Sequence, residues 1–310
     1  MRAGSDILRG PGLSLAILCL SACGEAGSPP RVVVDGSSSM YPVAEAVAED
    51  FQAASPGVRV TVGISGSGGG FQRFCAGEID IANASRPMDT GEVESCAARG
   101  VDFRSIPIAW DGLSVVVNPR ADFVECLTLG ELSRIWGPDS TVRTWSDVRR
   151  DWPDVEITLY APGPRSGTFD YFTEVVNGAR GWSRPDFQAS EDDNILVQGV
   201  AGDPYSLGYF AYAYYAENAE LLRLVAVDSG EGCVLPSDRS IAEGRYTPLA
   251  RLLYVYVREA ALARAEVRGY LTYMLQGASE LVPVTGYRAL DPAQYANSLR
   301  DLPGSQGGAS

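Results

Sequence analysis

The chain has 310 residues, 45% of them hydrophobic and 21% charged, a globular balance long enough for one large or two medium domains. Its 39 Asp and Glu against 25 Lys and Arg leave a formal net charge of −14, which argues against nucleic acid as a partner, because that affinity comes from clustered basic side chains. The chain has no histidine, which excludes Ser-His-Asp triads, Cys-His pairs and His-based zinc sites.

In chain order, the N-terminus reads first as a targeting segment. Arg2 and Arg9 precede an apolar stretch, Leu13 through Leu20, that is too short to span a bilayer. The run Leu20-Ser21-Ala22-Cys23-Gly24 resembles a bacterial lipobox. Residues 1–22 are therefore expected to be a lipoprotein signal peptide, Cys23 the lipidated residue, and residues 23–30 a tether.

Arg31-Val32-Val33-Val34 then reads as a strand running into Gly36-Ser37-Ser38-Ser39. Val43, Val47 and Phe51 recur at i, i+4 and i+8 behind Pro42, the pattern of an amphipathic helix with proline in its first turn. A second strand, Val58 to Val62, leads to Gly63-Ile64-Ser65-Gly66-Ser67-Gly68-Gly69-Gly70, and Phe71 and Phe74 open the next helix. Ile79 to Ala82, Ile106 to Ala109 and Leu113 to Val117 are strand-like, the last ended by Asn118-Pro119. Thr128 with Glu131 three residues on predicts a capping box. A third apolar run, Glu156 to Tyr160, leads to Ser166-Gly167-Thr168, followed by Phe169, Phe172 and Val176 at helical spacing. The aromatic run Tyr209 to Tyr215 suits a partly buried helix or strand better than a sugar platform. Leu252 to Val257 reads as a buried strand, a helix spans about Arg264 to Leu275, and residues 301–310 read as a flexible tail. Strands alternating with helices predict an α/β fold with mostly parallel sheets, whose ligands bind beyond the carboxyl ends of strands.

Cys75, Cys96, Cys126 and Cys233 follow the leader, an even number suited to two disulfides in an oxidising compartment. Of the three connectivities, Cys75–Cys96 with Cys126–Cys233 is favoured because the first pair is close in sequence. No C-x-x-C spacing occurs, which argues against a metal or redox motif.

The three Gly/Ser turns share one chemistry. Each points backbone N–H groups and hydroxyls at one spot, with the positive end of a helix dipole behind them. Any one alone is ordinarily a helix cap or a flexible loop. Three together predict a tetrahedral oxyanion held from several sides.

Asp35-Gly36-Ser37-Ser38-Ser39-Met40-Tyr41-Pro42, Gly63 through Phe71, and Asp80-Ile81-Ala82-Asn83-Ala84-Ser85-Arg86-Pro87 resemble the phosphate-binding proteins of bacterial phosphate ABC importers. So do Ala109-Trp110-Asp111-Gly112-Leu113 through Asn118-Pro119, Arg165-Ser166-Gly167-Thr168, and Gln198-Gly199-Val200 to Leu207-Gly208-Tyr209. The resemblance runs from about Arg31 to about Tyr287. It implies a type II periplasmic-binding-protein fold: two α/β lobes, a hinge of crossing strands and a ligand cleft between them. Residues 31–114 and 251–300 would form one lobe and residues 115–250 the other.

The resemblance implies phosphate ligands at Ser38 and Ser39, at Ser67, and at Ser166, Gly167 and Thr168. Many members carry an arginine four residues before that last serine, where this chain has Pro162, and an aspartate after Ala84-Ser85, where it has Arg86. Arg86 is expected to replace the missing cation, with Arg165 as a second candidate. Asp111 is the expected acceptor for the proton on phosphate, with Asp193 as a weaker one; such a carboxylate would repel sulfate.

The function implied is capture of inorganic phosphate and delivery to an ABC permease and its ATPase, by a monomer anchored through lipid on the periplasmic or cell-surface side. It implies no catalysis, no cofactor, no metal and no nucleic acid. Alternatives are another oxyanion such as sulfate or molybdate, a phosphate-ester hydrolase using Ser166 or Thr168, or a surface protein that senses or adheres.

Overall fold

The computed structural model describes Met1 and residues 29–302. The leader, Cys19, Cys23 and residues 303–310 lie outside the described residues.

The first strand, β1 (Arg31–Gly36), passes through a 3-10 turn (Ser38–Met40) into α1 (Tyr41–Ala54). Then come β2 (Arg59–Val62), α2 (Gly66–Cys75), β3 (Ile81–Ala84), α3 (Thr90–Ala98) and the long β4 (Phe103–Val117). Next are β5 (Cys126–Thr128), α4 (Leu129–Trp136), α5 (Trp145–Val148), β6 (Thr158–Pro162), α6 (Gly167–Asn177) and β7 (Gln188–Ser190). They are followed by α7 (Asp193–Gly202), β8 (Ser206–Ala211), α8 (Tyr212–Glu217), β9 (Arg223–Asp228), β10 (Cys233–Val234) and α9 (Asp238–Ala242). The chain closes with β11 (Ala250–Arg258), α10 (Ala265–Val284), β12 (Arg288–Ala289) and α11 (Pro292–Asp301). No described helix is long and apolar enough to cross a membrane.

The strands form one curled sheet in the order β2-β1-β3-β11-β4-β8-β6-β7, with β9 and β12 also on β4. Pairing is parallel in the two wings, β2-β1-β3 and β8-β6-β7, and antiparallel at the centre, where β11 joins β3 to β4 and β4 joins β8. The expectation of mostly parallel sheets therefore holds for the wings alone. The centre is antiparallel because the chain leaves the first wing along β4 and returns to it along β11, and a return strand must run the other way.

β4 is the element shared by both wings. Phe103 to Gly112 pair with β11, and Leu113 to Val117 pair with β8. From sequence it reads as two strands, but Trp110-Asp111-Gly112 keeps the ladder and makes them one. At Gly112 the strand runs close under α9, where an added Cβ would stand 2.8 Å from Ile241 Cδ1 and displace the tip of that side chain.

Both faces of the first wing are covered. Val32, Val34 and Ile81 face α1 and α10, while Ala82 and Ala84 face the smaller cluster around Phe71 and Phe74 of α2. This is the period-two alternation of strands buried on both sides. Phe51 of α1 meets Tyr270 of α10 edge-on at 5.8 Å, and the Tyr270 hydroxyl donates to the Ala44 carbonyl at 3.0 Å. α10 runs nine residues beyond the expected end at Leu275, because Ala278 and Val282 continue the buried stripe of Leu271, Met274 and Leu275.

The expected capping box forms: Thr128 Oγ1 accepts from the Glu131 N–H at 3.0 Å, and Glu131 accepts from the Thr128 N–H at 2.9 Å. Cys75–Cys96 and Cys126–Cys233 are the two disulfides, separated in sequence by 21 and 107 residues. On the chain-entropy account such loops stabilise the fold by about 3 and about 5 kcal/mol.

Candidate functional site

The three Gly/Ser turns meet where the wings face each other. β1 ends at Gly36, whose φ of +136° and whose absent Cβ, which would otherwise lie 2.2 Å from the Asn83 carbonyl oxygen, require glycine. Gly70 of α2 lies against Gly36, an added Cβ coming within 2.7 Å of the Gly36 Cα. That close packing sets the first turn of α2, with Ser67, beside the Ser38–Ser39 turn. Ser67 Oγ lies 3.2 Å from Ser85 Oγ and accepts from the Ser85 N–H at 3.0 Å.

From the other wing, β6 delivers Ser166, Gly167 and Thr168 at the start of α6. Ser166 Oγ accepts from the Thr168 N–H at 3.1 Å, so this hydroxyl caps its own helix. Thr168 Oγ1 crosses to Ser39 Oγ at 3.0 Å. An added Cβ on Gly167 would stand 2.4 Å from Ser67 Oγ. Beside these, the Gly68 N–H donates to the Arg165 carbonyl at 2.9 Å. The wings thus touch through glycines and through the fully or almost fully buried hydroxyls of Ser39, Ser67, Ser85, Ser166 and Thr168.

At the centre stands Arg251, the second residue of β11, which sequence reasoning missed. Its Nη2 donates to Ser39 Oγ at 3.1 Å and to Thr168 Oγ1 at 2.8 Å. Nε and Nη2 both donate to Asp111 Oδ2, at 3.0 and 2.8 Å. The other Asp111 oxygen accepts from the Tyr212 N–H at 3.2 Å. Burial pushes the Asp111 carboxyl above its ordinary range, and the Arg251 guanidinium opposes that. Asp111 therefore holds the cation in place, and both its oxygens are engaged. The one signal for Arg251 in the sequence is a charged residue opening the apolar run Leu252 to Val257.

Arg86 is placed differently from a free anion ligand. It is buried, its Nη1 and Nη2 donate to the two Glu92 oxygens at 2.7 and 2.8 Å, and its Nε donates to Asp170 Oδ2 at 2.6 Å. Burial works against its charge, but the two carboxylates outweigh that and hold the guanidinium above its ordinary value. Glu92 lies on α3 in the first wing and Asp170 on α6 in the second, so Arg86 ties the wings together. Arg165, the second candidate cation, offers its backbone to the contact between the wings: its carbonyl accepts from the Gly68 N–H at 2.9 Å, while its own N–H donates within the second wing to Glu191 Oε1 at 3.1 Å.

If Arg86 acts as a tie, Asp170→Asn weakens oxyanion binding by roughly 5- to 30-fold, about 1–2 kcal/mol. If Arg86 is itself a ligand, the same change removes a competitor and strengthens binding. Calorimetric titration of the variant distinguishes the two.

Asp193, at the start of α7, is fully buried, and neither carboxylate oxygen has a hydrogen-bond partner among the described residues. Burial dominates and pushes its pKa up to about 7, opposed by the Arg251 charge and by the nearby Ser38 hydroxyl and Ala211 N–H. Taken together, the site offers hydroxyl donors from both wings, one guanidinium neutralised by Asp111, and one unpaired carboxyl. The Ser39 and Thr168 hydroxyls meet each other and Arg251, donors of the kind that an oxyanion can accept from.

Residues 24–277 match the PBP superfamily domain. The chain is 45% identical over 267 residues to protein SphX of Synechococcus elongatus, covering 85% of this chain and 79% of the relative. It is 34% identical over 297 residues to the phosphate-binding protein PstS of Staphylococcus saprophyticus, covering 93% and 91%. Among solved structures, a possible phosphate binding protein from Planctomyces limnophilus superposes with a TM-score of 0.65 at 44% identity, covering 89% of this chain and 99% of that one. The fold is the type II periplasmic-binding-protein fold expected from sequence.

Proposed function

This chain belongs to the PBP superfamily and, within it, to the bacterial phosphate-binding proteins, and on that premise we propose that it captures inorganic phosphate outside the cytoplasm and delivers it to the permease of an ABC importer. The observation that carries the reading is the convergence of Ser39, Thr168 and Arg251 from three separate elements on one buried point.

In this reading the two wings act as lobes, residues 31–114 with 251–300 against residues 115–250. The change of partners along β4 at Gly112 and Leu113 supports a hinge there. The open cleft admits the anion, the hydroxyls of Ser38, Ser39, Ser67 and Thr168 replace its water, and the lobes close on it. Ser166 and Gly167 contribute the start of α6, whose backbone N–H groups and dipole favour negative charge. Arg251 supplies the cation that the residue type at Pro162 withholds. A net charge of −14 repels anions at long range, and such a site offsets that because its attraction is local and desolvated.

Cys23 is proposed as the lipid anchor, the protein acting as a monomer on the outer face of a membrane, with the permease's ATPase supplying the energy. Binding, with no covalent step and no cofactor, is the whole of its chemistry.

The test is calorimetric titration of the chain from Arg31 onward, stripped of anion, with phosphate and separately with sulfate. One-to-one phosphate binding at micromolar affinity or better, with sulfate at least about 100-fold weaker, is the expected result. Binding of neither anion overturns the reading, and so does turnover of a chromogenic phosphate ester.

A further inference from the structure

We propose that Tyr171 is the positioning residue for Arg251, holding its guanidinium beside the start of α6 before any anion arrives. The inference rests on Arg251 being the ligand-side cation of a phosphate cleft, and it names what keeps that cation in place.

Tyr171 lies on α6, three residues after Thr168 and so on the same face of the helix. That face meets Arg251 from head to root. Thr168 Oγ1 accepts from Arg251 Nη2 at 2.8 Å, and the Gly167 carbonyl accepts from Nη1 at 3.4 Å. The Tyr171 ring faces the guanidinium, with Arg251 Cζ 5.6 Å from the ring centroid, within the range of cation–π attraction. The Tyr171 hydroxyl reaches past the side chain to the backbone that precedes it. It lies 2.6 Å from the Pro248 carbonyl oxygen and 2.9 Å from that of Ala250, its one proton shared between the two acceptors.

Those two carbonyls are the ones that the sheet leaves open. Successive carbonyls of an extended chain point to opposite edges. The Leu249 carbonyl, between them, accepts from the Leu113 N–H of β4 at 2.9 Å. Pro248 and Ala250 therefore point to the other edge, where β3 pairs only with Tyr254 to Val257 of β11. Tyr171 covers that edge ahead of β3.

The Ala250 carbonyl shares a rigid peptide plane with the Arg251 N–H, so fixing it fixes the direction in which the Arg251 side chain leaves the strand. Asp111 holds the far end. Burial pushes the Tyr171 hydroxyl above its ordinary value, which keeps it a protonated donor. Tyr171, Pro248 and Ala250 all lie within residues 115–250, the second lobe of the phosphate reading, so parting of the lobes leaves these bonds intact. The Ser39 contact, by contrast, crosses from one wing to the other. The empty cleft thus keeps its cation beside the hydroxyl of Thr168, and binding does not have to order a long side chain.

The test is a double-variant cycle read by calorimetric titration with inorganic phosphate: wild type, Tyr171→Phe, Arg251→Lys and the two combined. Phenylalanine keeps the ring and removes only the hydroxyl. Tyr171→Phe is expected to weaken phosphate binding by roughly 5- to 30-fold. In the Arg251→Lys background the same change should matter by less than about twofold, because an ammonium on a flexible stem does not use the direction that the hydroxyl fixes. Heteronuclear NMR of the anion-free wild type gives a second readout. The Arg251 Nε–H, assigned by its absence from Arg251→Lys, should exchange with water at least about tenfold more slowly than exposed arginines and show cross-relaxation with the Tyr171 ring.

An equal loss on Tyr171→Phe in both Arg251 backgrounds would make Tyr171 a brace of the fold and overturns the proposal, as does binding by Tyr171→Phe within about twofold of the wild type. Fast exchange at the Arg251 Nε–H of the anion-free wild type, or no contact with the Tyr171 ring, overturns it with no variant needed. Failure of the wild type to bind phosphate is a separate result: it removes the phosphate assignment, and the NMR readout still decides whether Tyr171 holds Arg251.

Discussion

Arg251→Met is expected to reduce phosphate affinity by at least about 100-fold and to lower folding stability by about 3–5 kcal/mol. Arg251 is the only cation among the described residues that joins the Ser39 turn, the start of α6 and Asp111. Methionine fills much of the volume but removes every donor. The anion then loses its charged partner, and Asp111, almost wholly buried, is left as an uncompensated carboxyl.

The two effects separate in the double variant Arg251→Met, Asp111→Leu. With both charges gone the buried pair becomes an apolar contact, and stability should return most of the way, whereas binding should not. Arg251→Lys keeps the charge but loses the fork that reaches Asp111, Ser39, Thr168 and the Gly167 carbonyl at once, and should fall between. Urea unfolding and calorimetric titration give the two readouts. Phosphate affinity within about threefold of wild type in Arg251→Met would sink the assignment of Arg251 as the ligand-side cation.

The second large effect is expected from Gly167→Ala. The new Cβ would stand 2.4 Å from Ser67 Oγ, 2.6 Å from Ser85 Oγ and 2.9 Å from Ser67 Cβ. Neither serine can swing aside easily, because the Ser85 N–H is bonded to Ser67 Oγ and both side chains are fully buried. The collision is between the wings rather than within one. Gly167 is the first residue of α6 and is absent from the positive-φ glycines, so alanine suits its backbone and favours the helix by up to about 1 kcal/mol. The expected signature is thus split: unfolding stability unchanged or slightly raised, phosphate affinity down by roughly 10- to 1,000-fold, and no compaction in small-angle scattering when phosphate is added. A variant that compacts and binds normally would mean that the wings close without the contact of Gly167 with Ser67.

Much of this architecture was legible along the chain. The strand-turn-helix junctions at Ser38, Ser67 and Ser166 could be located because each is a local event, governed by glycine, a hydroxyl and the onset of helical spacing. The Thr128–Glu131 box and the α1 stripe of Val43, Val47 and Phe51 are local for the same reason. What escaped depends on contacts made across long separations. Arg251 lies 83 residues from Thr168 and 140 from Asp111, and its one local mark is that it is a charge opening an apolar run. Arg86 drew attention through its neighbours Ala84 and Ser85, but that Glu92 and Asp170 would converge on it is a long-range fact. Asp111 and Asp193 could both be named from sequence, but the pairing of Asp111 with Arg251 and the Tyr212 N–H could not. The antiparallel centre of the sheet was likewise invisible, since local pattern does not say which way a distant strand returns.

The placement of the disulfides has a mechanical consequence. Cys75–Cys96 closes a loop within the first wing and Cys126–Cys233 one within the second; neither straddles the cleft. Each covalent rivet therefore braces one wing, and neither fixes one wing to the other. What joins the wings across the middle is hydrogen bonds and ion pairs, those of Ser39, Thr168, Arg251 and Arg86.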